Sequence, residues 1–375
     1  MNIIFWADCY TEHQRQLCEE LHKRSTSFQF VADRETGDVE RLVGKKAEFE
    51  PDYVIHIDSV SNKRIAKKLI NAADVVIAGR VPLYVIRECT KSGKLVLRYS
   101  ERPIKRPEGN LEHLLRKAKW HFTQPLTSNV HLLAAGAYTS YDYKKYGLYE
   151  GSAYKWGYFP EFIEYEIDNI VSLKRKNSIA WAGRMIAWKH PETVINIARI
   201  LKNEGYEFDI TFIGDGPLRK SLENDCLKYG LNDQVTFTGA IPSIQVRRIM
   251  EQASIYICSS DRQEGWGAVV NEAMNSGCAV IADQMIGSAP FLIDSGYNGY
   301  TYRSFNELSD VIAKLLNDEN ECRRIGTNAY MTISEEWNAK EAAKRLIQLI
   351  ENLLNGHETP FSTGPCSIAE VINGE

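Results

Sequence analysis

The chain has 375 residues, of which 44% are hydrophobic, and sets 45 Lys and Arg against 49 Asp and Glu for a formal net charge of −4. That length and apolar content suit two domains of ordinary size, each with its own core, and the absence of a basic excess excludes a general nucleic-acid binder. The eight cysteines form no C-x-x-C pair and several sit inside apolar runs, where a reduced thiol packs as a small hydrophobe, so a reducing cytoplasm is expected.

The first residues, MNIIFWADCY, have neither a basic n-region nor a long apolar h-region, and no apolar run reaches the roughly eighteen residues of a membrane span. A soluble cytoplasmic protein is therefore expected, at most peripheral at the inner face of a membrane. Through the first 165 residues, short apolar runs predict strands at NIIFWA, FQFVA, YVIHI, DVVIAG, KLVLRYS and VHLLAAG, with helices between several of them. Residues 138–177 read as an irregular linker that contains Tyr138, Tyr141, Tyr143, Tyr146, Tyr149, Tyr154 and Tyr158 and ends in SLKRKNS.

From Ser178 the beat is clearer. SIAWAG predicts a strand and PETVINIARILKNEG a helix, with Val194, Ile195, Ile197, Ala198 and Leu201 on its inner face. FDITFIG, QVTFTG, SIYICSS and CAVIAD repeat the strand, each with a helix between, and continuous apolar strands between helices indicate a parallel sheet covered on both faces. Pro191 suits a first helical turn, and Gly205, Gly230 and Gly277 stand where left-handed C-caps belong. A last amphipathic helix starts near Trp337, and the Pro, Ser, Thr and Gly of residues 357–375 predict a poorly ordered tail.

In open α/β sheets ligands meet the loops that leave the carboxyl ends of strands. After SIAWAG, Gly183, Arg184 and Lys189 precede a helix N-terminus, an arrangement suited to a diphosphate, although for this loop taken alone a solvated pair of cations is the favoured reading. Gly214 and Gly216 in GDGPLR let backbone approach a ligand, but Arg219 occupies the place of the third glycine in a dinucleotide fingerprint. Gly239, Ala240 and Ile241 would line a slot for a base or form a plain strand-end turn. In EGWGAVVNEAMNSG, Gly265, Trp266 and Gly267 offer backbone donors ahead of a helix, flanked by Glu264 before it and Glu272 within it. Ionised carboxylates so placed suit sugar hydroxyls, with structural salt bridges as the alternative for each.

AGRMIAWKHPETVINIARIL, FIGDGPLRKSLE, VTFTGAIP and SSDRQEGWGAVVNEAMNSGCAVIA, in this order, resemble four successive hallmarks of the retaining, nucleotide-sugar-dependent glycosyltransferases of family 4. The resemblance covers about residues 178–300. It implies the GT-B fold, α/β with two Rossmann-like open-sheet domains facing across a cleft. The N-terminal, acceptor-side domain would span 1–165 and the nucleotide-sugar domain 166–333, with a helix at 334–356 returning to the first domain. It implies that Arg184 and Lys189 hold the donor diphosphate, Glu264 the transferred sugar and Glu272 the ribose. The backbone of Gly265, Trp266 and Gly267 would meet the sugar and distal phosphate, with no metal and no cofactor, in keeping with a sequence that has no D-x-D. The implied partners are a nucleoside-diphosphate sugar, UDP-sugar by base rate, and a saccharide or lipid-linked saccharide acceptor, as in cell-surface polysaccharide or glycoconjugate synthesis.

Two stretches depart from the family pattern. ADCYTEHQRQL stands where a glycine-rich loop often follows the first strand, leaving Asp8, Tyr10 or His13 as substitutes, and KLVLRY ends in SERP where relatives often carry a His, with Glu101 as the N-terminal catalytic candidate or a partner of Arg98 or Arg102. These departures keep a catalytically silent GT-B partner subunit as an alternative, beside a GT-B nucleotide-sugar epimerase; a phosphorylase would need a pyridoxal lysine with no signature here. Residues 98–121 hold seven Lys or Arg against three acids, with Ile104, Leu111, Leu114, Leu115 and Trp120 among them, and would either rest on an anionic bilayer or form a solvated helix face.

Overall fold

The computed structural model describes residues 1–33, 50–58, 62–123 and 127–374. Two compact units emerge, the first made of Met1–Glu161 and Glu336–Glu375 and the second of Phe162–Glu335. Each is an open, parallel-sheet α/β unit of Rossmann type.

In the first unit the strands are β1 (Asn2–Ala7), β2 (Ser27–Ala32), β3 (Val54–His56), β4 (Val75–Ala78), β5 (Leu95–Glu101), β6 (Val130–Ala135) and β7 (Ala153–Trp156). They lie in the order β3-β2-β1-β4-β5-β6-β7, every pair parallel. The order reverses between β1 and β4. Helices α1 (Glu12–Arg24), α2 (Lys63–Ala72), α3 (Leu83–Lys91), α4 (Asn110–Thr123) and α5 (Thr139–Lys144) fill the connections among the described residues. One core on this sheet gathers Trp6, Val31, Ile70, Val76, Ile86, Val96 and Leu132, all 1% exposed or less. Strands buried on both faces need apolar residues at every position, which is why β4, VVIA, carries no polar one.

The irregular linker expected over 138–177 is much shorter: the longest run there without helix or strand is 157–166, and the boundary between the units falls within it. Residues 139–144 are helical and 153–156 form β7, while Tyr138, Tyr143, Tyr146, Tyr149 and Tyr154 are core residues, each 8% exposed or less. The poorly ordered tail also needs correction. Cys366 donates its N–H to the Lys155 carbonyl at 2.8 Å, Lys155 donates to Ser367 at 2.7 Å and Ala369 donates to Ala153 at 2.9 Å, so the tail runs along the free edge of β7. An edge strand presents unpaired backbone groups, and covering them outweighs the local propensity of Pro, Ser and Gly.

The second unit contains α6 (Ile167–Ser172), β8 (Arg175–Ala182), a 3₁₀ turn (Ala187–Lys189), α7 (Pro191–Asn203), β9 (Asp209–Ile213), α8 (Arg219–Tyr229), β10 (Val235–Phe237), α9 (Ser243–Gln252), β11 (Ala253–Cys258), α10 (Ala268–Asn275), β12 (Ala279–Asp283), α11 (Ala289–Leu292), β13 (Tyr300–Tyr302), α12 (Phe305–Asn317) and α13 (Glu319–Glu335). Its sheet order is β10-β9-β8-β11-β12-β13, all parallel, with the reversal between β8 and β11. Pro191 opens α7, and Gly205, Gly230 and Gly277 hold φ of 78°, 65° and 69° at helix ends. The last helix, α14 (Ala339–Leu354), is capped by the Asn338 side chain, which accepts the Glu341 N–H at 2.9 Å, and packs on α1 in the first unit.

Two buried cations fix the amino ends of the second sheet and the far end of α10. Lys174 donates to the carbonyls of Met250, Ala253 and Ser276 at 3.0, 2.9 and 2.5 Å, and Arg247 donates to the Glu272 carbonyl and the Asn275 side chain at 3.1 and 3.0 Å. Cations suit the carbonyl-rich C-terminus of a helix, and burial pushes the Lys174 ammonium below its usual pKa. The opposite end of α10 is thereby left aimed from the carboxyl side of the sheet.

Candidate functional site

The strand order places the carboxyl-end loops of β10, β9, β8 and β11 side by side, around the reversal point of the second sheet. Backbone packing joins them closely. Gly214 donates to the Gly239 carbonyl at 2.9 Å, and Gly183 donates to Ile213 at 2.9 Å. At Gly214, where φ is 121°, an added Cβ would fall 2.1 Å from the Gly183 carbonyl oxygen, and at Gly216 it would fall 2.6 Å from that of Met185. Those glycines therefore serve loop-on-loop packing. Gly239 is buried, Ala240 exposed and Ile241 half-buried at the mouth of β10.

Lys189 and Glu264, 75 residues apart in sequence, meet in an ion pair whose side chains are 15% and 14% exposed. The Lys189 ammonium also lies 4.8 Å from the centre of the Trp188 ring. Its backbone is held from below: Trp181 Nε1 donates to Ser259 Oγ at 3.0 Å, and Ser259 Oγ donates to the Lys189 carbonyl at 2.8 Å. The paired arrangement neutralises two largely enclosed charges that would each be costly alone. Arg184 behaves differently, exposed on the β8 loop with a guanidinium that makes no ion pair among the described residues. Glu272 is likewise unpaired, a half-buried carboxylate in the second turn of α10.

Gly267 caps α10 with φ of 88°, and its neighbours Gly265 and Trp266 are buried. The Trp266 indole is turned inward, donating to Asn271 Oδ1 at 2.8 Å, and the whole residue is buried. The loop is braced by the Ser288 N–H, which donates to the Trp266 carbonyl at 2.9 Å.

Three residues beside this pair escaped sequence reasoning. His190 occupies the left-handed region at φ 48°, with Nδ1 2.8 Å from Glu192 and Nε2 3.3 Å from Asp261. Asp261 in turn donates its N–H to the Trp188 carbonyl at 3.0 Å, which ties the Lys189 loop to the Glu264 loop. Burial would lower the His190 pKa, but the carboxylates of Glu192 and Asp261 outweigh it and the value is raised. Burial pushes the Asp283 carboxyl up to about 6, against the Met285 N–H at 2.8 Å and the charge of His190, with Asp261 adding to the rise. The Cys258 thiol beneath them is pushed up to about 12 by burial and stays protonated. The signal that was available is the polar run SSDRQE after an apolar strand; the left-handed histidine has none. Among the described residues no group of three or more His, Cys, Asp or Glu could hold a metal ion.

In the first unit, Glu101 pairs neither with Arg98 nor with Arg102. At the end of β5 it accepts from Lys105 Nζ at 2.8 Å and Tyr158 Oη at 2.6 Å, and His13 stacks parallel to Tyr158 with ring centres 6.4 Å apart. Arg102 is buried against Asp142 at 3.0 Å. Tyr10 is buried too, its hydroxyl 3.2 Å from that of Tyr53, which withdraws it from any ligand. Asp8 accepts the Cys9 N–H at 3.1 Å and stands 3.9 Å from Arg80.

The family profile for glycosyl transferases group 1 matches residues 164–332. This stretch is similar to group 1 glycosyltransferase domains. It includes the loops that carry Arg184, Lys189, Gly214, Gly239 and Glu264, and none of the first unit's candidates. Relatives include an uncharacterized glycosyltransferase of Methanocaldococcus jannaschii, 29% identical over 185 residues that cover 48% of this chain and 47% of that one. An alpha-D-kanosaminyltransferase of Streptomyces kanamyceticus is 28% identical over 170 residues, 45% of this chain and 44% of that one. The chain thus spans about half the length of the curated relatives it matches. Among solved structures, Anabaena HepE in complex with UDP shares the fold with a TM-score of 0.68 at 14% identity, covering 94% of this chain and 100% of that one. The two units thus have the two parallel-sheet, Rossmann-like architecture of GT-B structures.

Proposed function

We propose that the chain is a retaining glycosyltransferase of family 4 that moves a sugar from a nucleoside diphosphate, UDP in the first instance, to a saccharide or lipid-linked saccharide acceptor at the cytoplasmic side of the cell, without a metal. The observation that carries the reading is the pairing of Lys189 with Glu264 at the second sheet's reversal point, in the stretch similar to group 1 glycosyltransferases, beside an Arg184 and a Glu272 that make no ion pair among the described residues. The choice of UDP follows the HepE complex.

In this reading Arg184 and Lys189 hold the diphosphate, helped by the N–H groups that open α10. Glu272 accepts from the ribose hydroxyls, since one carboxylate takes two adjacent O–H groups. Glu264 orients Lys189 and accepts from a hydroxyl of the transferred sugar. As the bond from the anomeric carbon to the β-phosphate oxygen breaks, its electron pair goes to the diphosphate, whose growing charge the two cations stabilise. The acceptor oxygen bonds to the anomeric carbon on the same face, and its proton passes to the leaving phosphate oxygen. Glu101, held by Lys105 and Tyr158 in the first unit, is assigned to the acceptor side.

The test is a panel of UDP-, GDP- and ADP-sugars offered without acceptor, with and without EDTA, read by thermal shift and by slow donor hydrolysis. One nucleotide class should raise the melting temperature and release its sugar, with retained anomeric configuration and no change in EDTA. No shift with any member would overturn the proposal in favour of a silent partner subunit, and epimerised donor would favour the epimerase.

A further inference from the structure

We propose that α4 is a docking surface for an anionic lipid bilayer, lying in the plane of the headgroups. The structure sorts the five apolar residues of the basic segment into two groups. Ile104 is 4% exposed and Trp120 packs on Tyr143 and Tyr146 with ring centres 5.3 and 4.6 Å away. Leu111, Leu114 and Leu115 are instead 70%, 62% and 63% exposed. With exposed Ala118 they recur at helical spacing on a single face, so the helix turns its apolar stripe outward.

The rotation of α4 is fixed from the inner side. Arg116 reaches Glu108 at 2.7 Å, His113 stacks on Tyr146 at 4.7 Å, and Tyr146 donates to the same Glu108. An ordinary surface helix would have its leucines at those inner positions. Here polar and aromatic groups hold the helix, and three adjacent leucines are left to water, an arrangement that calls for a cover.

Charge identifies the cover. Lys117 and Lys119 flank the leucine stripe, with Arg106 just before the helix, and all three are exposed. Glu112, the one acid on α4, is taken up by Arg116 at 3.1 Å and Arg106 at 3.5 Å. On the same side of the sheet, α2 adds exposed Lys63, Arg64, Lys67 and Lys68, its inner residues Ala66 and Ile70 sharing the core on which Trp120 packs. In a chain of net charge −4, this side of the sheet carries a basic excess beside an exposed apolar stripe, with the α3 acid Glu88 taken up by Lys67 and Lys91 at 3.6 and 3.3 Å. A protein partner would need matching acids; a bilayer rich in anionic lipid supplies negative charge and an apolar interior together. Among the described residues no helix is long and apolar enough to cross a membrane, so the contact is in-plane.

The experiment is co-sedimentation of the full chain with vesicles of phosphatidylcholine alone or with about a third phosphatidylglycerol, a composition at which each nearby cation adds measurably. Binding should appear on the anionic vesicles and weaken as salt rises. The triple variant Leu111→Ser, Leu114→Ser, Leu115→Ser should lose at least about tenfold in affinity, as should Lys117→Glu with Lys119→Glu. These side chains are exposed, so melting should be unchanged, and circular dichroism checks it. Equal sedimentation with neutral and anionic vesicles, or a triple variant that binds like the parent, would overturn the proposal. So would a parent chain that self-associates in solution and becomes monomeric in the triple variant, which would assign the leucines to a second copy. The vesicle assay uses no nucleotide sugar, so its failure leaves the proposed activity untouched.

Discussion

Removing Lys189 should harm the protein more than removing Lys189 and Glu264 together. Both side chains are about 85% enclosed, at 15% and 14% exposure, and each is the other's ion-pair partner. Taking one partner from a fully buried pair costs about 3–5 kcal/mol, because the survivor is left charged without a counter-ion. Residual solvent access lowers this to about 2–3 kcal/mol for either single change, with about 0.5–1 kcal/mol more for Lys189 through its lost contact with the Trp188 ring. Replacing both by neutral side chains of similar size, Lys189→Met with Glu264→Gln, removes the stranded charge and should cost about 1 kcal/mol or less. The cycle therefore predicts a coupling of about 3.5–6 kcal/mol, measured by urea unfolding with the two units' transitions fitted separately. Additive single changes, with coupling below about 0.5 kcal/mol, would refute the pairing and with it the claim that Glu264 presents Lys189 to a ligand.

Gly216→Ala would drive a Cβ to 2.6 Å from the Met185 carbonyl and 2.8 Å from its nitrogen, so it should destabilise the second unit by about 1–3 kcal/mol in urea unfolding, while Gly109→Ala, with nothing within 4 Å, should stay within about 0.5 kcal/mol. Asp283→Asn tests the buried acid. Its folded pKa is raised from 3.8 to about 6, so the folded state holds the extra proton and stability falls as pH rises from about 4 to 6. Asn should therefore stabilise the protein at pH 8, by about 1–2 kcal/mol after allowance for partial exposure, and the advantage should vanish below pH 4; a difference constant across pH would contradict the assignment. His190 acts in the same sense at higher pH, since a raised pKa contributes stability below about 6.5 that is lost as pH climbs through the folded value.

The second unit was largely legible because parallel strands buried on both faces are continuous apolar runs, and β8, β9, β11 and β12 all read that way. β7 was not, since AYKW is short and draws part of its stability from a tail that pairs with it from more than 200 residues away. In the site, Arg184, Lys189, Glu264 and Glu272 could each be named from their loops. That two of them pair while the other two make no ion pair among the described residues is a tertiary fact, set by loops brought together through Trp181, Ser259 and Asp261. The left-handed His190 and the raised Asp283 depend on the same packing and leave no periodic trace. In α4 the sequence showed that leucines and cations coexist, but the helix rotation that exposes Leu111, Leu114 and Leu115 is fixed by Glu108, Tyr146 and Trp120.

Isothermal titration of UDP into the parent chain, Arg184→Ala and Glu272→Ala tests the central claim most directly. Saturable 1:1 binding is expected for the parent, with at least about a tenfold loss in each variant, equivalent to about 1.4 kcal/mol for a lost contact to phosphate or ribose. Equal affinity in all three proteins, or no binding of UDP, GDP or ADP by the parent, would contradict it.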